Sequence, residues 1–83
     1  MKSKVEVKND EIVILVNTLF YPKDNVINTA DKFNDFFWIQ IEDGENNFLS
    51  LTLKPKSNEI RLDTAGYEFM NHLLSDVKDD MGD

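Results

Sequence analysis

Side chains able to do chemistry are few and widely spaced. His72 is the one histidine and there is no cysteine, so thiol catalysis and thiolate metal sites are excluded together. An activated nucleophile needs a base within hydrogen-bond reach and a third group to orient it. No nucleophile pattern in the sequence marks His72 as a base, and the residue falls on the flank of a helical stripe, where a lone histidine is most often a solvated surface residue, with a buried hydrogen-bonded role or a pH-sensitive contact as the alternatives. Asp76 follows one helical turn later, which lets the two share a face, but a structural zinc site needs more ligands than that pair supplies. Asp43-Gly44-Glu45-Asn46-Asn47 is rich in oxygens yet lacks the alternating acidic spacing and distal glutamate of a calcium loop. Gly44, Gly66 and Gly82 stand alone, so no glycine-rich phosphate loop is present. The chain is accordingly expected to be a binding or accessory module, not an enzyme, with no catalytic residue, metal or cofactor.

The elements that would position His72 follow from periodicity. Val5 and Val7 alternate with Lys4, Glu6 and Lys8, the period of a half-exposed strand. Asn9-Asp10 offers a two-residue turn, because both residues tolerate positive φ. Glu11 to about Asn17 returns as a strand whose apolar run, Ile12 to Val16, faces both ways and calls for a central place in the sheet with each side covered, or for one side at an interface; one long bent strand over 4–17 is the alternative. Pro22 suits the first turn of a helix running to about Asn34, with Val26, Ile27, Ala30 and Phe33 as its apolar stripe and Asn25 outside it. Phe36 to Glu42 reads as a strand with Phe37, Ile39 and Ile41 on one face and Phe36, Trp38 and Gln40 on the other. Asp43-Gly44 is the strongest turn signal in the chain, leading to Phe48 to Lys54 with Leu49, Leu51 and Leu53 facing inward. A last helix, with Asp63 as candidate N-cap, carries Leu62, Phe69, Met70, Leu73, Leu74 and Val77 to about Lys78. Gly66 on that stripe would let the helix approach a neighbour closely.

The order ββαββα with hairpin connections predicts an α+β two-layer sandwich, an antiparallel sheet covered on one face by two helices. At 83 residues the chain holds one domain, with 79–83 read as a frayed acidic tail. A formal charge of −7 repels phosphate backbones, so nucleic acid is not expected as a partner. The longest apolar run is far short of the roughly 20 residues that span a bilayer, so no membrane association is expected. The N-terminal segment has no signal-peptide pattern, which with the lack of cysteine points to the cytoplasm.

Aromatic residues are dense, with Phe33, Phe36, Phe37 and Trp38 clustered and Phe48 beyond them. Phe33, Phe37 and Phe69 belong to the core. Phe36, Trp38 and Phe48 alternate to the opposite face, where an aromatic patch would bind a protein or peptide. Two further roles are carried forward: a small-ligand or enzymatic pocket between helices and sheet with His72 at its mouth, and a structural homodimer through an open sheet edge.

Leu19-Phe20-Tyr21-Pro22-Lys23-Asp24, followed by Val26, Ile27, Ala30 and Phe33, together with Glu68-Phe69-Met70-Asn71-His72-Leu73-Leu74-Ser75-Asp76, resembles the HxsD-type proteins, small accessory members of His-Xaa-Ser peptide modification systems. The resemblance spans most of 12–77. It implies a partner of radical-type peptide-modifying enzymes or a peptide carrier, and it supplies no catalytic residue. Where that family continues into a basic segment, this chain reads Val77-Lys78-Asp79-Asp80.

Overall fold

A computed structural model describes residues 2–81, with side chains through Lys78. Strand β1 (Ser3–Lys8) and strand β2 (Glu11–Asn17) form a hairpin, followed by helix α1 (Lys23–Phe33), strands β3 (Phe37–Asp43) and β4 (Phe48–Pro55), and helix α2 (Leu62–Met81). The sheet is fully antiparallel in the order β1-β2-β4-β3. The ββαββα sandwich expected from the pattern is therefore the fold, and 4–17 is a hairpin, not a bent strand. Asn9 and Asp10 turn with φ of 53° and 62°, the left-handed pair that matches the twist of a two-residue hairpin.

Both helices lie on one face. Ile12, Ile14 and Val16 from β2 and Leu49, Leu51 and Leu53 from β4 are buried beneath Val26, Ala30 and Phe33 of α1 and Ala65, Phe69, Leu73 and Val77 of α2. The two central strands thus supply the floor, as their uninterrupted apolar residues require. Gly66 works as expected: a Cβ there would lie 2.9 Å from Val5 Cγ1 and 3.7 Å from Ile12 Cγ2, so α2 sits down over the gap between β1 and β2.

Several boundaries differ from the sequence reading. Pro22 is the residue before α1, with ψ of 142°, and its carbonyl accepts the Asn25 and Val26 N–H groups. Asn25 is buried and Ile27 is exposed, because α1 is rolled so that Ile27 overhangs edge strand β3. Asp63 is one residue inside α2; the Arg61 carbonyl accepts the Ala65 N–H, and the Asp63 carboxylate takes the Thr64 N–H at 2.8 Å. In the second hairpin the left-handed residues are Asn46 and Asn47, with φ of 56° and 67°. Gly44 keeps negative φ and donates its N–H to the Phe48 carbonyl. Helix α2 continues to Met81, past the expected Lys78, and 82–83 lie outside the described residues.

Candidate functional site

Phe36 is not part of β3. Its N–H donates to the Phe33 carbonyl at 3.1 Å, closing the turn that leaves α1, while its carbonyl accepts the Lys56 N–H at 3.0 Å and so begins the pairing with β4. The residue borders the helix side of the sheet. There it lines a cleft of about 500 Å³ between the C-terminal end of α1 and the N-terminal half of α2, within the size range of ligand sites. Phe33, Phe37 and Ile60 make the floor, and Glu68 and His72 of α2 stand along one side. Phe36 is 60% exposed at the rim. His72 meets the Phe33 ring edge-on at 5.4 Å, the geometry in which a positive ring edge faces a negative π cloud. Two residues nominated for different reasons, Phe36 and His72, thus border one cavity.

A polar clamp ties together the helices bordering this cleft. Asp76 of α2 accepts a hydrogen bond from Thr29 Oγ1 at 2.8 Å and pairs with Lys32 Nζ at 2.9 Å, both on α1. The Lys32 and Thr29 hydrogen bonds hold the Asp76 carboxyl below the usual carboxylate range, since each bond favours the charged form. Thr29 is fully buried, so the clamp sits at the interface between the helices. Asp76 is thereby engaged in structure and does not join His72 as a ligand pair; among the described residues no cluster of three or more His, Cys, Asp or Glu side chains is poised around a common point. Asp63 is also held low, by the Thr64 N–H and the Arg61 guanidinium, but it is solvent-exposed.

Trp38 and Phe48 do lie on the outer sheet face, at opposite ends of it. Trp38 is opposite Lys54 on β4, whereas Phe48 is opposite Asn17. At roughly 3.3 Å per residue the stretch of β4 between those two rows spans about 20 Å, so the three nominated aromatics do not form one patch. Trp38 is 63% exposed and lies under Lys56 Nζ at 4.3 Å from the ring centroid, a cation–π contact that partly occupies its face. Phe48 is half-buried. Between them the outer face carries half-buried Val13, Leu15, Ser50 and Thr52. A second groove, of about 480 Å³, runs between α2 and edge strand β1, with Val5, Val7, Tyr67 and Leu74 exposed along it. Among the described residues no helix is long and apolar enough to cross a membrane.

No family model, curated protein or solved structure matches the chain. The cleft, the outer face and the β1 groove are thus weighed on their own geometry. Sequence pattern alone could have located the cleft through Ile60, whose apolar side chain stands isolated in the polar loop before α2; it had no place in the helical or strand stripes.

Proposed function

We propose that this protein is a non-catalytic binding module that takes an apolar or aromatic side chain of a protein or peptide partner into the cleft between α1 and α2. The observation that carries this reading is the exposed Phe36 ring at the rim of a ligand-sized cavity with an aromatic floor. Such an arrangement resembles the anchor pockets at the centre of protein interfaces, where one buried aromatic supplies most of the affinity. Lys32, Arg61, Glu68 and His72 around it provide polar contacts able to orient a backbone, as the polar rim of an interface does. The resemblance to HxsD-type accessory proteins supports the same class of role: a cytoplasmic companion of a peptide-modifying enzyme or a carrier of its peptide. The formal charge of −7 disfavours nucleic acid as the occupant.

The test is selection from a random peptide library displayed on phage. Peptides enriched on the wild-type protein should share an aromatic or large aliphatic anchor, and should bind a Phe36→Asp variant at least about tenfold more weakly while binding Trp38→Ala unchanged, in keeping with loss of a central apolar contact. Peptides that bind Phe36→Asp as well as wild type, or that depend on Trp38 instead, would move the binding surface to the outer sheet face and remove the cleft from the account.

A further inference from the structure

We infer that β1 is a self-recognition edge through which two copies of this chain pair about a two-fold axis, joining their sheets into one. The ladder to β2 fixes which groups of β1 are free. Asn17 donates its N–H to the Lys2 carbonyl at 2.8 Å, and hydrogen-bonded pairs alternate in an antiparallel ladder, so Lys2, Lys4, Glu6 and Lys8 bond to β2. The N–H and C=O groups of Ser3, Val5 and Val7 consequently point away from the sheet, along its edge. Their side chains lie on the helix side, since Val5 and Val7 sit opposite Ile14 and Ile12.

A second copy can satisfy those groups only in registers that pair odd residues with odd residues, because other registers also put helix-side residues against outer-face residues. Three such registers keep most of β1 paired, and charge separates them. Centring the axis on Lys4 or on Glu6 sets like charges directly opposite each other, which is destabilising. Centring it on Val5 sets Lys4 of each copy against Glu6 of the other, twice over, in the close non-hydrogen-bonded positions. Val5 then meets Val5, and Ser3 meets Val7. Lys2 would face Lys8 at the ends of the pairing, where Lys8 is already opposite Glu11 and Lys2 lies over the Phe20 ring at 5.2 Å. In the single chain Lys4 and Glu6 reach each other along the strand at 3.2 Å, both well exposed, so both are available for exchange across the axis.

The helices fit the same pairing. Because α2 contacts both Val5 and Ile12 through the Gly66 backbone, it overlies the gap between β1 and β2. With strands about 4.8 Å apart, two such helices would come to stand about 10 Å apart across the axis, the distance of packed helices. Tyr67 and Leu74, exposed on the side of α2 that looks over β1, would fill the groove from both copies. Edge strand β3 offers no equivalent, since its charged side chains, Glu42 and Asp43, are both acidic.

Sedimentation equilibrium of the full chain, combined with charge exchange, tests this. Wild type should show a monomer–dimer equilibrium between roughly 1 μM and 1 mM. Lys4→Glu alone and Glu6→Lys alone should each weaken it by about tenfold or more, since two opposite-charge pairs become two like-charge pairs. An equimolar mixture of the two variants should regain the dimer, because each supplies the charge that the other lacks. In the dimer the amide protons of Ser3, Val5 and Val7 should exchange slowly, and in the single variants rapidly. A wild-type chain monomeric throughout that range, variants that associate as wild type does, or association continuing past the dimer would each overturn the inference.

Discussion

Removing the Asp76 carboxylate should loosen the two helices that border the cleft, and its cost can be worked from the clamp geometry. In Asp76→Leu the Thr29 hydroxyl, fully buried, loses its acceptor at 2.8 Å; stranding a buried polar group costs about 1–3 kcal/mol. Lys32 is half-exposed at 53%, so losing its ion pair adds only about 0.5–1 kcal/mol. The sum is about 1.5–4 kcal/mol, which for a domain of this size lowers Tm by roughly 6–32 °C. Thr29→Val on its own leaves Asp76 with Lys32 and should cost about 1 kcal/mol. The double variant has no stranded hydroxyl, so it should be more stable than the two single costs added together by at least about 1 kcal/mol, well above the additivity error of independent sites. Urea denaturation followed by circular dichroism measures all four chains. Additive costs, or an Asp76→Leu cost under about 1 kcal/mol, would show that the Thr29 hydroxyl finds another acceptor and that the clamp does not fix the helices.

Further outcomes follow from the same contacts. The Asp76 carboxyl is held low in the folded state, so its contribution is fully present above the unfolded value near 4 and is lost as pH falls through the lower folded value; the stability gap between wild type and Asp76→Asn, measured by thermal melts, should therefore be flat at neutral pH and close on acidification. Gly66→Leu should cost about 1–3 kcal/mol through overpacking, because even a Cβ would stand 2.9 Å from Val5 Cγ1, and amide exchange in β1 should accelerate first. Leu51→Ala, at a fully buried position in the centre of the floor, should cost about 2–5 kcal/mol in chemical denaturation.

The fold was legible because local chemistry and pattern agreed at each element. Asn9-Asp10 turned where a two-residue loop required positive φ, and the alternation in β4 placed Leu49, Leu51 and Leu53 inward. Helical periodicity was weaker: a stripe as wide as that of α1 admits more than one roll angle, and the choice that buried Asn25 and exposed Ile27 was made by the sheet beneath. The second hairpin was located correctly but its left-handed residues were Asn46 and Asn47, since Asn can adopt that conformation with little penalty and Gly44 was left to approach the Phe48 carbonyl closely.

The candidate site was less legible for two physical reasons. Phe36 is the junction of α1 and β3: its N–H closes the helix turn while its carbonyl already pairs with Lys56, so the strand's period does not predict its side chain. Alternation assigns Trp38 and Phe48 to one face but says nothing of the distance between them; each stands at the start of its own strand, so the antiparallel register of β3 on β4 sets them at opposite ends. The pairing of His72 with Phe33 is likewise a contact between helices distant in sequence.

Nuclear magnetic resonance mapping of the partner that co-purifies with the tagged native protein tests the central claim most directly. On addition of that partner to the isotope-labelled chain, the account predicts amide shifts concentrated at Phe36, Ile60, Ala65, Glu68 and His72, around the cleft. Shifts confined to Val13, Trp38, Ser50 and Thr52 on the outer sheet face, with the cleft unmoved, would contradict it.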